Sequence, residues 1–202
     1  QRQMCIRDRL IQKLKEMGYN VTDKGQTVIA LCHFPQNMQA KNDEHYRLDV
    51  KDKYITVSGG TPHAIFNGTQ TLVSLLKKQT IPAKLENIAI NDYPDLLYRG
   101  MMLDIARNFT KKADLLKLIN QLAAYKINVL HFHFSDDEAW RLEIPGLEEL
   151  TAIGSRRGFT EDESQCLYPV YYGGWNPNDT TATANGYYTR EDFIEVLQYA
   201  AK

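Results

Sequence analysis

The sequence predicts an α/β chain in which a small α+β domain precedes the start of a parallel-sheet domain. Three observations predict it. In the first half, short stretches between two helical segments alternate apolar and polar residues, the pattern of half-buried strands. Beyond NDYPD (91–95) the strand candidates turn almost continuously apolar, as strands covered on both faces do. Those later strands alternate with segments of helical period, and strand–helix–strand–helix order implies a parallel sheet.

The elements follow in order. QRQMCIRDR has neither the apolar core of a signal peptide nor a strand pattern, and it resembles translated adapter sequence. Residues 1–9 are therefore set aside as a segment of doubtful origin, with the native start missing if they are foreign. Residues 10–17 suit a short helix and TVIAL (27–31) a strand. YRLDV (46–50) and YITVS (54–58) alternate around Lys51-Asp52, which predicts a hairpin. SGGTP then breaks the pattern, and Leu72, Leu75 and Leu76 share one face of a helix over 69–78. LENIAI (85–90) is a further strand, and the change of character near 91–95 separates an auxiliary α+β domain, 10–93, from a second domain, 94–202. The second domain holds a strand over 98–106, a helix over 111–125, a strand over 128–134 and, after a long loop, a helix from Arg190. Thr189 and Asp192 form a capping-box pattern there, with Tyr188 and Phe193 at the positions of a hydrophobic staple. Two βα units cannot close a barrel, and an open parallel pair leaves an unpaired edge, so this domain is expected to be truncated at Lys202.

Composition excludes several functions. The 202 residues are 43% hydrophobic and 24% charged, an ordinary globular balance. The net charge is −1 and the 24 basic residues are scattered, unlike the basic stripe of a nucleic-acid surface. No apolar run approaches the ~18 residues that span a bilayer. Cys5, Cys32 and Cys166 are far apart, without the spacing of a disulfide framework or a metal site. Asn20, Asn67, Asn108 and Asn178 head N-x-S/T triplets, which matter only in a eukaryotic secretory context.

Chemistry concentrates in HFHFSDDEAWR, 131–141. His131 and His133 stand two apart on a strand and so face one side. Such a pair can ligate a metal, but the further ligands of a dinuclear hydrolase would fall at 135 and 136, which are Ser135 and Asp136. Asp136 and Asp137 lie at the C-terminal end of a parallel strand, where α/β barrels build active sites. YRGMMLDIARNF places Arg99 at the start of the preceding strand and Asp104 and Arg107 towards its end. An arginine steadied by a carboxylate can fork onto two adjacent hydroxyls of a sugar, or simply form a structural ion pair at the rim.

R-G-x-x-x-D-x-x-R, a helix, then N-V-x-H-x-H-x-x-D-D-x-x-W-R resembles the family 20 glycoside hydrolases, the β-N-acetylhexosaminidases. LEELTAIGSRRG and GYYTREDFIEVLQYAAK carry the likeness onward, and Gly60 with Asn67-Gly68-Thr69-Gln70-Thr71-Leu72 carries a looser one into the first half. The resemblance implies an auxiliary α+β domain followed by the first two βα units of an incomplete (β/α)8 TIM barrel. It implies that Arg107 binds hydroxyls of a terminal N-acetylhexosamine and that Asp136 supports catalysis through a histidine further along the chain. Arg99, Asp104, His131, His133, Asp137, Trp140 and Arg141 belong to the same signature and are expected to shape the site, Trp140 by packing. Trp175 is a candidate for an outer subsite. The partners implied are glycans ending in N-acetylglucosamine or N-acetylgalactosamine, with no cofactor, no metal and an exported location.

The family's chemistry is substrate-assisted: the sugar's acetamido oxygen attacks the anomeric carbon, and an Asp-Glu pair at the fourth strand orients it and supplies the acid/base. Asp43-Glu44 and Asp137-Glu138 are Asp-Glu dipeptides at other positions. The chain is therefore expected to be an inactive fragment of a retaining β-N-acetylhexosaminidase. A metal-dependent barrel hydrolase using His131 and His133, or a non-catalytic carbohydrate-binding remnant, are the alternatives. Two departures stand out: Asn108 where the family has histidine, read as tuning, and Glu138 where it has glutamine, read as an added negative charge at the rim.

Overall fold

The computed structural model describes residues 2–36, 38–157 and 179–201. The chain divides into two units, Gln1–Leu97 with Ala124–Lys126 and Lys202, and Tyr98–Ala123 with Ile127–Ala201.

The first unit is built from α1 (Arg2–Glu16), β1 (Val28–His33), β2 (Tyr46–Lys51), β3 (Tyr54–Gly59), α2 (Pro62–Lys77) and β4 (Ile88–Asp92). Its four-stranded sheet has the order β1-β3-β2-β4, parallel between β1 and β3 and antiparallel elsewhere. The expected hairpin forms with Val50 opposite Ile55 and Leu48 opposite Val57, so alternate residues of both strands point into one core. Helix α1 opens at Arg2 because Ile6, four residues before Leu10, extends the buried stripe that runs on to Leu14. Helix α2 opens at Pro62, earlier than the leucine pattern suggests. Thr61 caps it by accepting the Ala64 amide at 3.1 Å, and proline fits the first helical position, where its missing N–H costs nothing.

Leu48, Val57, Ala64, Ile65 and Leu72 are fully buried where α2 meets this sheet. The close approach depends on Gly68, whose added Cβ would stand 2.5 Å from Val57 Cγ1 and 2.9 Å from the Tyr46 ring. The buried Tyr46 hydroxyl donates to Asp92 at 2.6 Å and accepts from Lys126 at 2.8 Å. Two of the glycosylation triplets are closed by the fold: Asn67 and Asn108 are buried, while Asn20 is exposed.

The second unit holds β5 (Gly100–Asp104), α3 (Lys112–Ala124), β6 (Val129–His133), the single turn α4 (Glu149–Ala152) and α5 (Arg190–Ala200). β5 and β6 are parallel neighbours, the repeat from which (β/α)8 barrels are assembled. Ile105, Leu115, Tyr188 and Val196 form its core, with Phe132 stacked on Phe193 at 6.4 Å and tilted against Tyr188 at 5.9 Å. The capping box at α5 forms: Thr189 Oγ1 accepts the Asp192 amide at 3.1 Å, and the Asp192 carboxylate accepts the Thr189 amide at 3.3 Å. Lys112 Nζ meets Asp192 at 2.6 Å and Glu195 at 2.7 Å, joining the starts of α3 and α5. Among the described residues, no helix is long and apolar enough to cross a membrane.

The Gly68 contact yields a stability test. Gly68→Ala gains about 1 kcal/mol of helix propensity, yet it must displace two buried groups in a packed core, which costs about 1–3 kcal/mol. Urea unfolding should show a net loss of stability; a gain would mean that α2 can lift from the sheet without strain.

Candidate active site

Strand register alone begins the site. Asp104 and His133 are paired across β5 and β6 at the C-terminal ends of both strands. Neighbouring strands lie about 4.8 Å apart, so these two side chains are held together without help from any loop. The chain then turns after β5, where the Asp104 carboxylate accepts the Arg107 amide at 3.1 Å. That turn folds the Arg107 side chain back over the strand ends.

Arg107 Nη1 lies 3.0 Å from Asp104 Oδ2, 2.7 Å from Asp136 Oδ2 and 3.2 Å from His133 Nε2. His133 Nε2 is also 3.0 Å from Asp136 Oδ2. A ring nitrogen serves one of these partners at a time: protonated it donates to Asp136, unprotonated it accepts from Arg107. Asp136 divides its labour, with Oδ2 towards Arg107 and His133 and Oδ1 accepting the amides of Glu138 at 2.7 Å and Ala139 at 3.3 Å. Burial alone would push the Asp136 carboxyl up. The His133 hydrogen bond, the two amides and the Arg107 charge outweigh it and hold Asp136 below the usual aspartate range.

Asp104, His133 and Asp136 bring three possible ligand atoms within 4.8 Å of one another. Arg107 Nη1 sits within hydrogen-bonding reach of all three, so a guanidinium takes the place that a divalent ion would need. His131 is exposed and stands outside this group. The metal reading therefore loses its histidine pair. Strand alternation puts both histidines on one side, but the C-terminal end of the strand lies at His133, two residues beyond His131.

The other sequence candidates fall in distinct places. Arg99 precedes β5 and shares main-chain and amide hydrogen bonds with Asn128 at that strand's N-terminal end. It is separated from Asp104 by the length of the strand, about 16 Å at ~3.3 Å per residue. It does not shape this cluster, and the expectation is corrected: membership in a linear signature does not bring both ends of a strand together. Asp137 is exposed beside Asp136 and adds to the negative potential around Arg107. Trp140 donates its indole N–H to the Leu142 carbonyl and sets its ring edge-on to Phe134 at 6.4 Å, a packing role. Asn108 accepts from Thr183 Oγ1 at 2.7 Å. Trp175 lies outside the described residues.

Arg141 is fully buried. Its guanidinium donates to the carbonyls of Ile105 at 3.0 Å, Ala106 at 2.7 Å, Ser155 at 2.6 Å and Gly186 at 3.0 Å. Burial, helped by the nearby Arg157 charge, pulls it down to about 10, so it remains a cation at neutral pH. Glu138 is not the loose negative charge its place in the sequence suggests. It is paired with Arg157, whose side chain is 3% exposed. Arg157, absent from the sequence candidates, also donates to the Arg107 carbonyl at 3.0 Å. Only its basic character in GSRRG could have drawn attention to it.

Comparison with known proteins follows the same division of the chain. Residues 96–202 match the family described as glycosyl hydrolase family 20, catalytic domain, and residues 5–93 match glycosyl hydrolase family 20, domain 2. Beta-hexosaminidase B of Pseudoalteromonas piscicida is 40% identical over 189 residues, which is 94% of this chain and 23% of that protein. The N,N'-diacetylchitobiase of Vibrio harveyi is 39% identical over 77% of this chain and 17% of its own length. A crystal structure of a GH20 exo β-N-acetylglucosaminidase from Vibrio harveyi with N-acetylglucosamine aligns with a TM-score of 0.75 and 29% identity, covering 97% of this chain and 29% of that one. A Streptomyces plicatus β-hexosaminidase mutant with the same sugar gives 0.75 and 28%, covering 97% of this chain and 36% of that one. The chain thus spans less than a third of the curated relatives described here.

The geometry of Asp136 fixes the sign of a pH effect. A carboxylate held below its ordinary value adds stability that is complete above about pH 4 and is lost as pH falls through its folded value. Urea unfolding of the parent and of Asp136→Asn should therefore differ most near neutral pH and converge below about pH 4. A gap that stays constant down to about pH 2.5 would mean that Asp136 titrates as an unpaired aspartate.

Proposed function

The chain belongs to glycosyl hydrolase family 20, and from that premise we propose that its second unit forms one wall of the sugar site of a retaining β-N-acetylhexosaminidase. The substrates on this reading are glycans ending in β-linked N-acetylglucosamine or N-acetylgalactosamine. The observation that carries it is Arg107, oriented by two carboxylates at the ends of adjacent parallel strands. Among the described residues the side-chain hydrogen bonds and ion pairs of Arg107 run through Nη1, which leaves Nε and Nη2 as a fork for two neighbouring sugar hydroxyls.

In such a reaction the acetamido oxygen of the bound sugar is the nucleophile, and the protein contributes an acid/base and the binding that holds the ring in place. The described residues contribute binding. Asp136 neutralises Arg107 and offers a carboxylate oxygen that can orient a histidine. Neither glutamate of the two described Asp-Glu dipeptides suits the acid/base. Glu44 accepts from Asn67 at 2.9 Å in the core of the first unit, and Glu138 is paired with Arg157. A third dipeptide, Asp162-Glu163, lies outside the described residues.

A chimera tests the reading directly. Residues 5–202 would replace the matching stretch of the Pseudoalteromonas piscicida enzyme, and hydrolysis of an aryl N-acetyl-β-glucosaminide would be followed. An active chimera is expected, and Arg107→Lys within it should lower kcat/KM by about 10- to 150-fold, the value of one charge-assisted hydrogen bond. Undiminished kcat/KM in the Arg107→Lys chimera would remove Arg107 from the sugar site.

A further inference from the structure

Glu138 and Arg157 enter a closed circuit with the site. Arg107 Nη1 meets Asp136 Oδ2 at 2.7 Å. The other oxygen of Asp136 accepts the Glu138 amide at 2.7 Å. The Glu138 carboxylate pairs with Arg157 Nε, and Arg157 Nη1 returns to the Arg107 carbonyl at 3.0 Å. The circuit begins at the guanidinium of Arg107 and ends at its backbone. Its farther half is largely shielded from solvent, with the side chains of Arg157 and Glu138 3% and 14% exposed. The Arg157 amide is tied as well, donating to the Ala184 carbonyl at 3.1 Å.

We propose that Glu138 and Arg157 are positioning residues: their part-buried ion pair closes a ring that fixes the Arg107 guanidinium relative to its own backbone and to Asp136. The proposal rests on the reading of Arg107 as the sugar-binding residue. An open chain of contacts lets its last member drift, whereas a closed ring determines each member twice. The charge of Glu138 matters beyond geometry. An uncharged residue at 138 removes the carboxylate that meets Arg157 Nε, and with it one link of the ring. Glu138 meets Arg157, while Asp136 meets Arg107 and His133. An arginine suits the far corner because its planar fork can pair with a carboxylate and a carbonyl at once, which a lysine point charge cannot hold in one geometry.

The test is guanidinium nitrogen NMR on the 202-residue chain. Held by the ring, the two Nη signals of Arg107 should exchange slowly through rotation about the Nε–Cζ bond. Arg157→Lys, which keeps the charge and loses the fork, should speed that exchange about tenfold or more. Glu138→Gln, of nearly the same shape, should speed it severalfold and decides the matter alone if the lysine variant fails to fold. Val196→Ala, a core change outside the ring, should lower stability and leave the Arg107 signals as they were, which separates positioning from mere support. Unchanged Arg107 exchange in folded Glu138→Gln or Arg157→Lys overturns the proposal. No sugar is present in this measurement, so failure of the sugar-binding reading in the chimera leaves the NMR result standing, and the reverse also holds.

Discussion

A guanidinium closed off from water must find an acceptor for its donors, and Arg141 finds four of them in the main chain. The carbonyls belong to three segments: Ile105 and Ala106 just after β5, Ser155 ahead of Arg157, and Gly186 ahead of Tyr188. Each segment leads into a residue the site depends on. Arg107 follows Ala106 directly, Arg157 reaches back to the Arg107 carbonyl, and Tyr188 packs against Phe109 at 5.0 Å. Without the Arg141 cation Ser155 would keep the Gly186 amide, but the carbonyls of the fully buried Ile105 and Ala106 would lose this donor, at about 1–3 kcal/mol for each buried group left unsatisfied. The loops above the strand ends are irregular in path yet fixed in place, because one dry charge gathers them.

Polar groups around Arg107 then work at two levels. The parallel register of β5 and β6 sets Asp104 beside His133, and this is a property of the sheet. Asp136 arrives from the turn beyond β6 and is held by the amides of Glu138 and Ala139. Sheet and turn converge on one nitrogen of Arg107, so its direction depends on both. The same economy appears where Lys112 joins the starts of α3 and α5 through Asp192 and Glu195. Asp192 serves there as the capping residue of α5 as well, so one carboxylate starts a helix and anchors its neighbour.

Much of this was legible because it is written in local patterns. The hairpin of β2 and β3, the two apolar strands and the Thr189 cap all rest on residues close together in the chain. The meeting of Arg107, Asp104, His133 and Asp136 was legible for a related reason: they stand at or just beyond the C-terminal ends of adjacent strands. The parallel pairing of β1 with β3 was not legible, since strand partners distant in sequence leave no local trace. The early start of α2 was hidden by reading Thr61-Pro62 as a breaker when it is a cap followed by a first-turn proline. Arg157 was missed, and Glu138 misjudged, for one physical reason. Charges at 138 and 157 look like two solvated side chains until the fold brings them together and shields the pair from most of the solvent.

The two buried asparagines bear on how such a chain can be made. In Asn67 the nitrogen that would carry a glycan is the one that donates to Glu44 in the core, and Asn108 is buried against Thr183. A eukaryotic secretory host modifies Asn-x-Ser/Thr triplets on chains that have not yet folded, before burial can protect them. A sugar tree attached at either position would have no room in the finished molecule and would hold the chain in an unfolded, quality-controlled state. Asn20, exposed, could carry one without harm. Production in bacteria, or in a eukaryotic cytosol, removes the conflict, and the choice of host decides whether the polypeptide ever reaches the architecture its sequence specifies.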